Sequence, residues 1–157
     1  MRGDAHVPGL KKGVGVNASD RGHETIVVAD DDDGVRFISK RILMDAGYCV
    51  LEARNGQEAV DLVSTNTGQV DGVMLDIAMP LMDGIEARDR ISEIAPGMPI
   101  LFVSALMDRV IHQTHLVEGV NFVRKPYSRQ GLLSVLRANL DCTSRFMSRE
   151  LFAPCGQ

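Results

Sequence analysis

Tryptophan is absent from the 157-residue sequence, and aromatic residues make up only 4% of it. A core without them has to be built from Val, Ile, Leu, Met and Ala, and the eight methionines read most simply as core filler. No apolar run approaches the roughly 20 residues that a membrane span needs. The N-terminus carries no continuous apolar segment of the signal-peptide kind. A basic surplus is missing too: 17 Lys and Arg against 21 Asp and Glu leave a net charge of −4. That balance, with no basic stretch interleaved with aromatics, argues against a phosphate-backbone binder. Cysteine is scarce, and Cys49, Cys142 and Cys155 show no paired spacing. This fits a reducing compartment better than a disulfide framework. The expectation is a cytoplasmic protein, in which the sequon Asn17-Ala18-Ser19 carries no meaning.

What is present suits one ordinary domain. Hydrophobic residues at 45% exclude a disordered chain. Residues 1–22 are Gly-rich and polar, without apolar periodicity, and read as a flexible leader. Gly13 to Ala18 matches the G-x-G-x-x-A pattern by letter, but neither a strand before it nor a helix after it gives the pattern weight. From Thr25 a regular alternation begins. Ile26 to Ala29, Cys49 to Ala53, Gly72 to Leu75, Ile100 to Val103 and Phe122-Val123 are short runs of strand character. Between them Val35, Ile38, Ile42, Leu43 and Ala46 fall at helical spacing, as do Ala59, Leu62 and Val63, then Ile85, Ile91 and Ile94. A poorly periodic helix is expected over 106–117, and Leu132, Leu133, Leu136 and Leu140 mark a closing helix. Strands alternating with helices imply α/β architecture, a parallel sheet covered on both faces. Right-handed crossovers put every strand's carboxyl end on one edge, where the chemistry is to be sought.

The residues at that edge are Asp30-Asp31, Asp76, Ser104 and Lys125-Pro126. Four consecutive carboxylates, Asp30 to Asp33, repel one another unless a positive charge sits among them. Taken alone, such a run is an ordinary solvated loop, but Asp76 at a second strand end shifts the balance towards a cation site. Three carboxylates with room for water form a hard-oxygen site that favours Mg2+, with Mn2+ as the alternative. An EF-hand register fails, because with Gly34 at its sixth position the first would be Ala29 and the twelfth Lys40. A carboxylate beside a divalent cation, a hydroxyl and a lysine is a phosphoryl-transfer constellation. In it Asp76 is the nucleophile, Asp30 and Asp31 are metal ligands, Ser104 is a hydroxyl donor and Lys125 is a point charge for phosphoryl oxygens. His112 and His115 lack a third metal-type partner and read as surface residues.

Four stretches in order, IVVADDDDGVR, LDIAMPLMDG, FVSA and FVRKPY, resemble the receiver domain of two-component response regulators over roughly residues 24–141. The run HLVEGVNFVRKPY resembles the receivers attached to hybrid histidine kinases in particular. The resemblance implies a flavodoxin-like sheet of five parallel strands in the order 2-1-3-4-5, with a receiver domain over 23–141 and a short tail over 142–157. It implies Asp76 as phosphoacceptor, a metal shell completed by the backbone carbonyl of Ala78, and a cis bond at Lys125-Pro126. The switch aromatic falls on Phe122, which has no hydroxyl, and Ser104 is the switch hydroxyl. The phosphoryl donor is expected to be a sensor histidine kinase or a histidine phosphotransfer protein. An unidentified downstream protein reads the output, without direct contact to nucleic acid or membrane, and the protein is a monomer or weak dimer. Both a stand-alone receiver and the receiver portion of a hybrid kinase fit, and no effector domain is expected in the roughly 16 residues after the last helix. Turnover of a separate substrate is not expected. Two other readings stay open. A metal-dependent phosphatase with an aspartyl nucleophile needs a second acid two residues on, where Ala78 stands. A binding-only pseudo-receiver would lack an acceptor or an acidic-pair residue.

Overall fold

The computed structural model describes residues 18–105 and 116–150, with side chains described as far as Thr143. Most of the helix expected over 106–117, including Leu106, His112 and His115, lies outside the described residues, as do Leu151 and Phe152. Each apolar run forms a strand: β1 Thr25–Ala29, β2 Cys49–Ala53, β3 Gly72–Asp76, β4 Ile100–Ser104 and β5 Phe122–Arg124. They pair in parallel in the order β2-β1-β3-β4-β5. Four α-helices are present among the described residues: α1 Asp33–Asp45, α2 Gly56–Thr65, α3 Gly84–Ile94 and α4 Arg129–Glu150.

The inner strands β1, β3 and β4 are almost wholly buried because both faces of the sheet are covered there, whereas the edge strand β2 exposes Cys49 and Glu52. Alternate side chains divide between two cores. Val27, Val73, Leu75, Phe102 and Phe122 pack with Ala59 and Val63 of α2 and with Ala87 and Ile91 of α3. Ile26, Val28, Met74, Leu101 and Val103 pack with Leu43 of α1 and the α4 row Leu132, Leu133, Leu136 and Leu140. Three helices start from capped loops at the carboxyl edge. Asp32 accepts from the Gly34 and Val35 amides, Asn55 from the Glu58 amide and Asp83 from the Glu86 amide. Each cap satisfies an amide that the first helical turn leaves without a partner.

Both ends of the domain differ from the sequence reading. Ala18–Asp20 forms a short 3-10 turn whose Asp20 side chain is buried and accepts a hydrogen bond from Gln130 at the start of α4. The Gly22 amide donates to Ala46 at 3.2 Å, so packed structure begins ahead of residue 23. At the other end α4 continues well past Leu140 to Glu150. The leucine row that marked the helix in the sequence ends at Leu140, and residues 141–150, free of Gly and Pro, keep helical propensity.

The loop between β3 and α3 is fixed by two close approaches. A Cβ at Gly84 would lie 2.3 Å from the Asp76 carbonyl oxygen, and one at Gly56 would lie 2.5 Å from that of Met82. The same two glycines donate their amides into the loop, Gly84 to Ile77 at 2.9 Å and Gly56 to Met82 at 3.0 Å. Gly84→Ala therefore forces β3 and α3 apart despite alanine's better helix propensity. Thermal or urea unfolding should show a loss of about 1–3 kcal/mol, the usual range for overpacking; an unchanged or raised stability would show that this contact relaxes at no cost.

Candidate functional site

The carboxyl ends of β1, β3 and β5 bring four charged side chains together. Asp30, Asp31 and Asp76 each offer a carboxylate oxygen, and the three atoms lie within 4.8 Å of one another. Lys125 reaches in from the end of β5, its Nζ 2.6 Å from Asp30 Oδ2 and 3.3 Å from Asp76 Oδ2. Asp30 and Asp76 are buried, whereas Asp31 is exposed at the mouth. Two neighbouring strand ends, β1 and β3, supply the acids because β1 sits between β2 and β3 in the sheet. The donor set is entirely hard oxygen and has room for water on the Asp31 side, which suits a small divalent cation such as Mg2+.

The backbone around the cluster is tied strand to strand. The Asp30 amide donates to Ala53 at 3.1 Å, the Ile77 amide to Val103 at 3.3 Å and the Lys125 amide to Ser104 at 3.0 Å. Ser104, buried at the end of β4, follows directly on Val103, the register partner of Asp76. Ala78 is exposed two residues beyond Asp76, and its amide hydrogen-bonds the Asp76 carboxylate. The Lys125-Pro126 peptide bond is cis. Phe122, three residues ahead of Lys125, is wholly buried in the core that contains Phe102 and Leu116.

Burial pushes the Asp76 carboxyl above the usual carboxylate range. Lys125 pulls it down, and the charge of Asp30 adds to the rise. For Lys125, burial works to lower the ammonium, but the hydrogen bond to Asp30 and the charges of Asp76 and Asp30 outweigh it and the net shift is upward.

One residue beside the site and one in the loop that follows Asp76 were not singled out from the sequence. Arg36 in the first turns of α1 is buried, and its guanidinium donates to the Asp30 carbonyl at 2.7 Å while pairing with Asp33. Nothing in the local pattern separates it from an exposed helix arginine. Leu81, at the tip of the β3–α3 loop, is 89% exposed with φ 66°, a left-handed conformation that a branched side chain adopts at a cost. The sequence signal was there: an apolar residue between Pro80 and Met82 in a turn that favours glycine.

An open parallel sheet with carboxylates from two strand ends and a lysine from a third defines a phosphoryl- or cation-binding α/β domain. Residues 26–137 match the model of the response regulator receiver domain, and the chain belongs to that family of two-component signalling domains. Response regulator MprA of Mycobacterium sp. (strain KMS) is 36% identical over 120 residues, which cover 76% of this chain and 51% of that protein. Sensor kinase CckA of Brucella abortus (strain 2308) is 30% identical over 139 residues, covering 88% of this chain and 15% of that protein. The chain thus spans about half the length of the MprA relatives and a small part of the kinase. Among solved structures, the receiver domain of hybrid histidine kinase CckA superposes with a TM-score of 0.61 at 30% identity, over 74% of this chain and 98% of that one. A receiver domain from Clostridium thermocellum gives a TM-score of 0.70 at 23% identity, over 79% of this chain and 99% of that one, a likeness of fold. Among the described residues, no helix is long and apolar enough to cross a membrane.

The electrostatics separate the two charged partners in a measurable way. Asp76 has its folded value raised above its ordinary one. The stability linked to its protonated form is therefore full at low pH and is lost as pH rises through the raised value. In chelator-treated protein at neutral pH, Asp76→Asn should raise the melting temperature by a few degrees, and the gain should shrink as pH falls through the raised value towards the ordinary carboxylate one. Lys125→Ala should act oppositely and cost about 3 kcal/mol, because it leaves Asp30 buried without its ammonium. Variants that shift stability in the same direction would contradict this charge assignment.

Proposed function

We propose that Asp76 is the phosphoacceptor of this receiver domain, and that Asp30, Asp31 and Asp76, with the Ala78 carbonyl, are the donors that would hold Mg2+ or Mn2+. The observation that carries this reading is the meeting of three carboxylates with Lys125 Nζ, 2.6 Å from Asp30 and 3.3 Å from Asp76. A bound divalent ion supplies positive charge to the phosphoryl oxygens, which is what a loose phosphoryl-transfer transition state requires. The protein's own part is positional. An Asp76 oxygen attacks phosphorus as the bond from phosphorus to the donor's imidazole nitrogen breaks, and that nitrogen keeps the electron pair and takes up a proton. Lys125, held between the acids, is placed to neutralise charge on the transferred group. Ser104 then hydrogen-bonds the phosphoryl group, and Phe122 moves with it, which changes the surface around β5 that a downstream protein reads.

The donor is a histidine kinase or a histidine phosphotransfer protein, acting in the cytoplasm. An apolar cleft beside Lys125, lined by Val35, Ile38, Ala105, Pro126 and Tyr127, supports docking of such a protein next to the acceptor. A solved CheX-CheY-BeF3-Mg2+ complex from Borrelia burgdorferi matches at 27% identity over 81% of this chain, and the Mg2+ in it supports a divalent ion here. A phosphatase reading draws no support, because the exposed residue two positions after Asp76 is Ala78 and brings no acid to protonate a leaving group.

Incubation with Mg2+ and acetyl phosphate should add one phosphoryl group to the native protein, read by intact mass, and none to Asp76→Asn. A phosphoryl group that persists on Asp76→Asn would move the acceptor elsewhere, and a native protein that stays unmodified would support a binding-only receiver.

The lifetime of the product is a separate expectation. Ala78, exposed two residues beyond Asp76, and Leu106 are apolar in sequence, so neither offers a polar side chain to orient an attacking water. The acyl phosphate should persist for minutes or longer after removal of the donor, followed by mass or by phosphate release. Loss within seconds would refute the argument from these two side chains.

A further inference from the structure

We propose that Arg36 is the positioning residue for Asp31 and holds this third carboxylate where a divalent cation would meet it. The inference rests on the reading of the acidic cluster as a metal site and extends it to a residue outside the cluster.

The three carboxylates differ in what restrains them. Asp30 accepts from Lys125 at 2.6 Å and from the Asp32 amide at 3.0 Å. Asp76 lies 3.3 Å from Lys125 and accepts from the Ala78 amide. The Asp31 carboxylate is exposed, and no hydrogen bond or ion pair holds it among the described residues. Its place is therefore set by its backbone, and one side chain brackets that backbone. Arg36 Nη1 donates at 2.7 Å to the Asp30 carbonyl, the oxygen of the peptide that joins Asp30 to Asp31. Its Nη2 pairs with the Asp33 carboxylate, two residues beyond Asp31. Its Nε faces Glu52 of β2 at 3.5 Å. Only 5% of the residue is exposed, so the fork is held on three sides. With the Asp30 amide tied to Ala53 and its carbonyl tied to Arg36, the peptide plane ahead of Asp31 has little freedom to rotate. A planar guanidinium performs this double grip, and an ammonium cannot.

The competing explanation is that Arg36 acts by charge alone, and it predicts the opposite sign. A cation beside the acids repels an incoming divalent ion, so its removal would tighten metal binding. Loss of the grip would loosen it, because a ligand that must be ordered on binding costs affinity.

The test titrates chelator-treated protein with Mn2+ and follows free Mn2+ by electron paramagnetic resonance, with circular dichroism to confirm folding. Native protein that binds no Mn2+ would overturn the metal reading itself, and this inference with it, before Arg36 is touched. Given native binding, Arg36→Lys and Arg36→Ala should each weaken it about tenfold, the low end for residues that orient metal ligands. In an Asp31→Asn background the Arg36→Lys change should fall to less than about twofold, since coupled residues are not additive. Tighter binding by Arg36→Ala, unchanged binding by Arg36→Lys, or a full tenfold effect that survives in the Asp31→Asn background would each overturn the proposal. Arg36→Lys keeps the charge and the stem, and it serves alone should Arg36→Ala fail to fold.

Discussion

One ammonium among three carboxylates is the interaction on which the rest of this structure depends. Two unit charges 4 Å apart still interact by about 4 kcal/mol at the effective dielectric typical of such sites. Asp30 and Asp76 are both buried, and Lys125 is the cation between them. The upward shift of Asp76 is the visible residue of this imbalance, since Lys125 does not fully offset burial and the charge of Asp30. A fold optimised for stability alone would not keep the arrangement. Under the proposed function that excess of negative charge is what a cation and then a phosphoryl group would meet, and its cost falls on the metal-free protein.

Such a cluster is tolerable only on a rigid frame, and the frame here is made of backbone bonds rather than side chains. Asp30, Ile77 and Lys125 each donate an amide to an adjacent strand, so the three loops leave the sheet from fixed points. Gly84 lets α3 come against the Asp76 carbonyl, and Gly56 lets α2 come against Met82. The loop after β3 is consequently clamped at both ends, with Leu81 in its left-handed conformation between them. Tyr127, just past the cis bond, shares a 2.5 Å hydrogen bond with Ser39 of α1 and ties the lysine-bearing loop to the same helix that carries Arg36. The β1 and β3 sides of the cluster are therefore stiff, whereas the Phe122 side chain on β5 is set in the apolar core with Phe102 and Leu116.

Much of this was legible in the order of residues. Strands buried on both faces announce themselves as short β-branched runs, and the residue after each run is the residue at the carboxyl edge. Asp30, Asp76, Ser104 and Lys125 could be placed on one edge without knowing a distance. Two of the unread residues depend on a partner that only the folded chain supplies. Arg36 looks like a helix-surface residue until β2 brings Glu52 beside it. Asp20 sits in polar, Gly-rich sequence, and its burial depends on Gln130, which only the folded chain supplies. The extension of α4 was hidden for a different reason. An apolar stripe marks where a helix faces a core, not where it ends, so the leucine row ending at Leu140 did not mark the last turn.

The four-aspartate run shows how a liability in sequence becomes a division of labour in space. The chain leaves β1 and enters α1 within these residues, so successive carboxylates point at different partners instead of at one another. Asp30 turns inward to Lys125, Asp32 turns back to the first amides of α1, and Asp33 pairs with Arg36. Three of the four negative charges are thereby matched by an ammonium, a helix N-terminus and a guanidinium. Asp31 alone is left unmatched, and it stands at the exposed side of the cluster. Among the four, the unmatched negative charge is therefore concentrated on one exposed carboxylate, which explains how a run that should repel itself can be carried by this loop and is consistent with the proposed cation site.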